Sequence, residues 1–347
     1  MIVCGGQAEF DTSSLAAWLA ARLPGFGGIA SLDKFPGGQS NPTYRLSDGQ
    51  RAYVLRRKPF GQLLPSAHAI EREFRLISAL HPTGFPVPRP YALCEDAAIL
   101  GSPFYVMELA EGSTFWNGAL PDLSVVQRGN VYASLVETLA RLHAIDPASV
   151  GLGDYGSQSN YFERQVGRWT KQYRASETET IAEMEQLIDW LPGTRPEQDR
   201  VSIIHGDYRI DNVILSPGSL RASAVLDWEL STLGDPLADF AYFAMSWVLP
   251  AAERESNLGG LDLAALGIPS LEAITTRYCA LTGRESLPDL NWYFAYNLFR
   301  GAGIGQGVKK RALDGNASSA EAGDVGDRVR SLAVHACAFA RLAGAPF

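Results

Sequence analysis

Residues 204–239 read IHGDYRIDNVILSPGSLRASAVLDWELSTLGDPLAD. This stretch holds Asp207, then Asn212 five positions later, and Asp227 twenty positions after Asp207. Phosphoryl transfer to a hydroxyl needs a carboxylate that faces the hydroxyl and oxygen ligands for Mg²⁺. The spacing Asp-x-x-x-x-Asn matches the catalytic loop of protein kinases. Asp207 is therefore the candidate catalytic residue, and Asn212 and Asp227 are the candidate metal ligands. Turn capping explains each residue alone, but it does not explain the whole string.

The flanking residues predict how these side chains are held. An apolar, β-branched run predicts a strand at 201–204 that leads into the loop. Further strands are expected at 212–215 and 224–226, joined by a Pro-Gly turn. Such a hairpin would bring Asp227 back beside Asn212.

Five other polar residues are interpreted as structural. Strand alternation would turn Asp211 away from the metal. Asp235 and Asp239 are expected to hold loop and helix backbone, with Asp239 preceding an apolar helix. His143 is expected to tie a helix to the catalytic loop, and His205 to hold the backbone of that loop.

The segments 205–212 and 226–228 together resemble the aminoglycoside phosphotransferase and choline kinase family, with a likeness that runs from about Phe35 to the C-terminal helices. The stretch YFERQVGRWTKQY at 161–173 is more narrowly similar to the kinase-like domain fused to some acyl-CoA dehydrogenases. The resemblance implies an α+β, two-lobed protein-kinase-like fold. Its small N-terminal lobe would have an antiparallel sheet plus a helix, and its larger C-terminal lobe would be mostly helical.

The same resemblance implies an ATP- and Mg²⁺-dependent enzyme that moves the γ-phosphoryl group to a hydroxyl of a small molecule. A hydroxyacyl-CoA or a hydroxy acid is the candidate acceptor, and an acyl-CoA dehydrogenase is a candidate functional partner. The implied nucleotide-binding lobe spans 1–109, and the catalytic and acceptor-binding lobe spans 110–347, with a hinge at about 107–112. Adenine would be bound by the Glu108 carbonyl and the Ala110 N–H.

A glycine-rich turn at 37–43 is the candidate phosphate loop. Its backbone N–H groups could approach phosphates closely, because glycine offers no side chain. Gly38, Ser40 and Asn41 are the candidate contacts. An ordinary hairpin loop explains the pattern equally well.

The strand expected at 52–56 resembles the kinase strand that carries a phosphate-binding Lys, but Arg56 stands at that position. Arginine can bind phosphate through two hydrogen bonds, so the substitution is chemically workable. Lys58 is the alternative. Glu71 and Glu73 are both candidates to pair with Arg56; the resemblance favours Glu73 and leaves Glu71 as a solvated charge.

Helical apolar spacing predicts a helix over Ser66–Leu80, with Ser66 as its N-cap. Ser124 and Gln127 have the form of a capping box at the start of another helix. The segment 291–307 combines aromatic residues with several glycines, which suggests close packing or room for a ligand. Arg300 could bind an acceptor carboxylate or phosphate, or it could form a structural ion pair.

Composition narrows the class of partner. The chain has 347 residues, of which 46% are hydrophobic and 20% charged, and its net charge is −8. The negative charge does not favour nucleic acid or an anionic membrane as partner. No apolar run approaches transmembrane length and no signal peptide is expected. The four widely spaced cysteines predict reduced thiols and a cytoplasmic location.

Three other functions remain compatible with the sequence. The chain could be a nucleotide-binding pseudokinase that regulates a partner, which Arg56 favours and the intact Asp207, Asn212 and Asp227 oppose. It could be an aminoglycoside- or choline-type kinase, although no acidic cluster near the C-terminus supports a polycationic acceptor. It could also be a binding protein that does not use nucleotides, because fold alone does not fix function.

Overall fold

A computed structural model describes residues 12–35, 41–60, 69–314 and 328–347. These residues form two compact units. The first unit lies within 1–113 and also includes Val213–Glu229, whereas the second comprises Thr114–Asn212 and Leu230–Phe347. The lobe boundary at 109/110 stays a prediction.

The first unit contains a five-stranded antiparallel sheet. Its strands are β1 (Ser31–Lys34), β2 (Thr43–Ser47), β3 (Ala52–Arg57), β4 (Pro90–Cys94) and β5 (Phe104–Glu108). Their order across the sheet is β1-β2-β3-β5-β4. In this register Arg56 lies opposite Thr43 on one side and Tyr105 on the other. The sheet therefore fixes the backbone position from which the Arg56 side chain extends.

Three helices accompany this sheet: α1 (Thr12–Ala20), α2 (Ile70–Leu80) and α3 (Ala97–Leu100). Helix α2 packs against β4 and β5. It buries Ile70, Glu73, Leu76, Ile77 and Leu80, which recur at helical spacing. The burial of one acidic residue in this apolar face requires a partner for its charge. The expected N-cap, Ser66, lies outside the described residues.

A hairpin of β7 (Val213–Leu215) and β8 (Ala222–Val225) also belongs to the first unit. The backbone N–H of Val225 donates to the Pro86 carbonyl at 2.8 Å. Ser113 and Leu215 exchange two backbone hydrogen bonds of 3.0 and 2.9 Å. The predicted hairpin is present, but β7 begins one residue later than expected, because Asn212 ends a single 3₁₀ turn that starts at Ile210.

The second unit is mostly helical, with one short two-stranded sheet. Its elements are α4 (Val125–Ala144), α5 (Tyr161–Ser176), α6 (Ala182–Trp190), β6 (Ser202–Ile204), β9 (Thr232–Gly234), α7 (Pro236–Ala244), α8 (Leu263–Leu266), α9 (Leu271–Thr282), α10 (Asn291–Leu313) and α11 (Val329–Leu342). Strands β6 and β9 pair antiparallel. Helix α10 packs against α5, α7 and α11, and α4 packs against α9 and β6.

The capping box predicted for α4 is present. The Ser124 hydroxyl accepts a hydrogen bond from the Gln127 backbone, and the Gln127 side chain accepts one from the Ser124 backbone. These reciprocal bonds satisfy N–H groups that a helix start leaves without partners. In the part of the chain that the structure describes, no helix has the length and apolarity of a membrane span.

Candidate active site

The loop after β6 carries Asp207 and has a backbone that only glycine tolerates at one point. Gly206 has φ of 86°, and a Cβ there would lie 2.7 Å from the Leu230 carbonyl oxygen. Buried His205 accepts a hydrogen bond at Nδ1 from the Asp207 N–H, at 3.1 Å. His205 thus holds the loop backbone, as the sequence indicated.

Both oxygens of the Asp207 carboxylate have partners within the second unit. Oδ2 accepts a hydrogen bond of 2.9 Å from Asn212 Nδ2, which also donates to the Asp207 carbonyl at 2.8 Å. Oδ1 accepts one from the Tyr242 hydroxyl and lies 3.3 Å from Arg209 Nε. The carboxylate is therefore held from both sides.

Asp239 anchors the loop from α7. Its carboxylate accepts hydrogen bonds from the N–H groups of His205 and Gly206 at 2.6 and 2.8 Å, and His143 Nε2 lies 3.5 Å away. Burial acts to raise the pKa of Asp239, but the neighbouring imidazoles and the loop N–H bonds outweigh it and hold the pKa below its ordinary value. Asp239 lies inside α7, not before it as expected; the helix begins at an N-cap formed by Asp235, which accepts from the Leu237 N–H.

Asp211 is paired with arginines. Arg209 Nη2 lies 3.0 Å and Arg254 Nη2 3.5 Å from its Oδ2, and the residue is buried. The reason given for excluding Asp211 from the metal site was wrong, because it lies in the 3₁₀ turn and not in a strand. The Asp211 carboxylate is nevertheless paired with two arginines.

Within the first unit, the Arg56 guanidinium lies within 4 Å of three carboxylates. Arg56 Nε lies 2.9 Å from Glu73 Oε2, Nη2 lies 2.9 Å from Asp227 Oδ1, and Glu229 Oε2 is 3.8 Å away. Burial would lower the pKa of Arg56, but Glu73 and the other acidic groups outweigh it and raise the pKa. Arg56 stays charged and links α2 to Asp227, two residues after the end of β8.

Glu73 has further donors beside Arg56. Asn41 Nδ2 donates to Glu73 Oε1 at 2.9 Å, and the Tyr105 hydroxyl donates to Oε2 at 3.1 Å. Lys58 Nζ lies 2.5 Å from Glu71 Oε1, so Glu71, expected as a solvated charge, is partly exposed and paired with Lys58. The side chains of Arg56 and Lys58 thus form ion pairs with different glutamates of α2.

Asp227 has an unusual backbone for a residue with a side chain. Its φ is 64°, in the left-handed region, which costs a non-glycine residue on the order of 1 kcal/mol or more. The Trp228 indole beside it donates to the Val225 carbonyl at 3.0 Å and packs edge-on against Phe85. The strained conformation is thus held by the hairpin and its neighbours.

The donor chemistry of Asn212 and Asp227 fits Mg²⁺. Because Asn212 Nδ2 donates both of its hydrogen bonds to Asp207, Oδ1 is the amide atom left for a metal. The Asp227 side chain is 38% exposed, and one of its two oxygens contacts Arg56. Both residues offer the hard oxygen ligands that Mg²⁺ prefers.

The remaining predicted contacts are placed as follows. Gly38 and Ser40 lie outside the described residues, and Asn41 is buried against Glu73. Glu108 ends β5 with an exposed side chain, and Ala110 follows the strand. Their roles toward a nucleotide stay predictions.

Arg300 is buried on α10 and reaches the catalytic loop. Its Nη2 donates to the Gly206 carbonyl, and its guanidinium lies 5.4 Å from the Tyr242 ring centroid and 5.6 Å from that of Trp169. No carboxylate among the described residues lies within salt-bridge distance of Arg300, so the structural ion pair offered as one alternative is not what holds it. A role toward an acceptor stays a prediction.

Tyr242, Arg209 and Arg254 were not predicted as site residues. Tyr242 lies in an apolar run that reads as core. A signal was available, since Tyr242 and Asp239 are three positions apart and so share one face of a helix.

Sequence comparison assigns the family. A sequence model described as the phosphotransferase enzyme family (APH) matches residues 31–273, more than half of the chain. The chain belongs to the phosphotransferase enzyme family. The predicted family is confirmed, and with it the predicted enzyme class, that of a phosphotransferase.

Individual relatives of this chain include acyl-CoA dehydrogenase family members. Acyl-CoA dehydrogenase family member 11 of Rattus norvegicus is 44% identical over 333 residues, which cover 94% of this chain and 43% of that protein. Acyl-CoA dehydrogenase family member 10 of Mus musculus is 46% identical over 318 residues, with 91% and 30% covered. The phosphotransferase chain thus spans less than half the length of these curated relatives.

A solved structure supports the fold. The crystal structure of a candidate aminoglycoside phosphotransferase from Ralstonia eutropha JMP134 matches with a TM-score of 0.85 and 46% identity, covering 96% of this chain and 98% of that one. Together with the antiparallel sheet and the helical second unit, this match confirms the predicted α+β, kinase-like fold class.

Proposed function

We propose that this phosphotransferase moves the γ-phosphoryl group of ATP to a hydroxyl of a small molecule with the help of Mg²⁺. The observation that carries the proposal is the hold on Asp207, whose carboxylate is fixed by Asn212 on one oxygen and by Tyr242 on the other. A base fixed in this way can orient an acceptor hydroxyl and take its proton, which is the protein's main contribution in a reaction that depends on positioning.

The other residues of the proposed site bind and position. Asn212 and Asp227 would each supply an oxygen to Mg²⁺, which when bound neutralises the charge on the transferring phosphates. Arg56, kept in place by Glu73, would contact phosphate oxygens with its remaining donors. The loop at 37–43, the Glu108 carbonyl and the Ala110 N–H are the proposed nucleotide contacts.

A hydroxyacyl-CoA or a hydroxy acid is the proposed acceptor class. The relatedness to two acyl-CoA dehydrogenase family members supports this choice. So do Arg209 in the catalytic loop and Arg254 and Arg300, which contact that loop, in a chain whose net charge is −8. These arginines would attract an anionic acceptor and disfavour a polycationic aminoglycoside. A functional link to an acyl-CoA dehydrogenase is proposed with it.

The first test is thermal stability with and without Mg-ATP, on the wild type and on Asp227→Asn. Asparagine tolerates the left-handed backbone but carries no charge. A ligand at about 100 times its Kd stabilises a protein by roughly 2.7 kcal/mol. We expect a Mg²⁺-dependent rise in Tm that Asp227→Asn abolishes. If neither ATP nor GTP shifts the Tm of the wild type, the proposal fails.

The second test separates a kinase from a pseudokinase. The pseudokinase is the alternative that Arg56 favours. Mg-ATP is incubated with hydroxyacyl-CoA esters, hydroxy acids, choline and an aminoglycoside, and phosphorylated product is detected by mass spectrometry. We expect product from the CoA esters or hydroxy acids, and a strong loss of turnover in Asp207→Asn with nearly unchanged ATP affinity. Nucleotide binding without product from any acceptor would support the pseudokinase. Wild-type turnover in Asp207→Asn would refute the role of Asp207.

A further inference from the structure

Tyr242 is a side chain of α7 that reaches the catalytic carboxylate. Its hydroxyl donates a hydrogen bond to Asp207 Oδ1. Asp239, one turn earlier on the same helix, binds the backbone N–H groups of the loop that carries Asp207. Helix α7 thus controls both the backbone of the loop, through Asp239, and the side chain of its acidic residue, through Tyr242.

The second hold on the Asp207 carboxylate comes from Asn212. Because Asn212 donates to Oδ2 and Tyr242 to Oδ1, the two bonds together oppose rotation of the carboxylate about its Cβ–Cγ bond. An ionised carboxylate has about four lone-pair positions, so positions remain for an acceptor hydroxyl. With Asn212 alone, one oxygen would be anchored and the other could swing.

Tyr242 is itself held in place. The Arg300 guanidinium lies 5.4 Å from the centre of its ring and donates to the Gly206 carbonyl in the same loop. Burial, and then the negative charge of Asp207, raise the pKa of Tyr242 above its ordinary value. The hydroxyl therefore keeps its proton at neutral pH and serves as a hydrogen-bond donor.

We propose that Tyr242 is a positioning residue for phosphoryl transfer: its hydroxyl fixes the Asp207 carboxylate in the orientation that faces the acceptor hydroxyl. This inference rests on the proposed function, and it adds a residue outside the kinase-like motif. Small displacements of a reacting group can reduce a rate by up to about a hundredfold. Loss of the Tyr242 hydroxyl should therefore reduce kcat and leave ATP binding unchanged.

The test compares wild type, Tyr242→Phe and a matched control, Tyr132→Phe. Phenylalanine keeps the ring on which Arg300 lies and removes only the hydroxyl. Tyr132 on α4 is also buried, and its hydroxyl donates to the Gly118 carbonyl at 2.5 Å, away from Asp207. Each protein is assayed for kcat and KM with Mg-ATP and 3-hydroxybutyryl-CoA, for Mg-ATP hydrolysis without acceptor, and for the Tm shift with Mg-ATP.

We expect Tyr242→Phe to lower kcat about tenfold or more in both reactions, with the KM for ATP and the Mg-ATP-induced Tm shift unchanged. Tyr132→Phe should keep the wild-type kcat. A Tyr242→Phe kcat within about twofold of wild type would overturn the inference alone. A higher kcat would also overturn it, since it would show that the hydroxyl occupies the place of the acceptor. If the wild type shows neither a Tm shift with Mg-ATP nor turnover, the proposed function is overturned, and this inference with it.

Discussion

Replacement of Asp235 by Asn should remove a pH dependence from the stability of the protein. Asp235 is the N-cap of α7, the helix that carries Asp239 and Tyr242. It is 1% exposed, its Oδ1 accepts from the Leu237 N–H, and its Oδ2 has no hydrogen-bond partner among the described residues. A buried carboxylate with one free oxygen is costly to ionise.

The magnitude follows from the pKa. Burial raises the pKa of Asp235 from 3.8 to about 6. Since one pKa unit corresponds to about 1.4 kcal/mol, ionisation of Asp235 should cost the folded state about 3 kcal/mol. The folded state binds the proton more tightly than the unfolded state. The stability from this group is therefore fully present below pH 3.8 and is lost as the pH rises through about 6.

The assay is equilibrium urea unfolding of the wild type and Asp235→Asn across a series of pH values. Asn also caps helices well, and its effect on the cap is independent of pH. As the pH rises from about 4 to about 8, the free energy of unfolding of the variant should therefore increase by about 3 kcal/mol relative to that of the wild type. Asp262→Asn, at the exposed N-cap of α8, supplies the baseline for the same chemical change. A difference between Asp235→Asn and wild type that does not change with pH would refute the reasoning.

Three further substitutions should change stability by amounts that the contacts indicate. Asp239→Ala should lower the free energy of unfolding by about 3 to 5 kcal/mol, because it leaves two buried N–H groups of the catalytic loop without their acceptor. Arg56→Met should cost about 3 to 5 kcal/mol, because Glu73 then stays buried without its cation. Gly303→Ala should raise stability by up to about 1 kcal/mol, since a Cβ there would lie 3.6 Å from the Trp169 carbonyl oxygen, at ordinary contact distance. Urea unfolding measures all three.

Two of these substitutions have a contrasting variant. Lys58→Met breaks the more exposed ion pair with Glu71, so it should cost far less than Arg56→Met. Gly206→Ala should destabilise, in contrast to Gly303→Ala, because of its positive φ and the nearby Leu230 carbonyl. Equal losses from the two cation replacements, or a loss in Gly303→Ala, would contradict the contacts described.

Local features of this fold could be predicted because neighbours in the chain determine them. The hairpin around the Pro-Gly turn and the capping box of Ser124 and Gln127 depend on a few adjacent residues, and both are present as expected. The family is readable from a single string because Asp207 and Asn212 lie in one short loop.

Features that depend on distant packing were missed or misjudged. Nothing near Glu71 in the sequence shows that Lys58, the residue after β3, pairs with it. Tyr242 resembles its apolar neighbours on α7, and only the approach of that helix to the catalytic loop reveals that its hydroxyl reaches Asp207. Strand alternation failed for Asp211 because a 3₁₀ turn, with a different period, occupies its position.

The discontinuity of the first unit has a consequence for biosynthesis. Residues 1–113 are synthesised before Val213–Glu229, which completes that unit, and residues 114–212 lie between the two segments. At a synthesis rate of about 5 to 20 residues per second, on the order of 10 s pass between the synthesis of the sheet and that of the hairpin. During that interval the Pro86 carbonyl lacks the N–H of Val225, and Ser113 lacks its two bonds to Leu215. A fragment that ends at residue 113 should therefore tend to aggregate, and a shortened protein would need to extend past residue 229 to enclose its first unit.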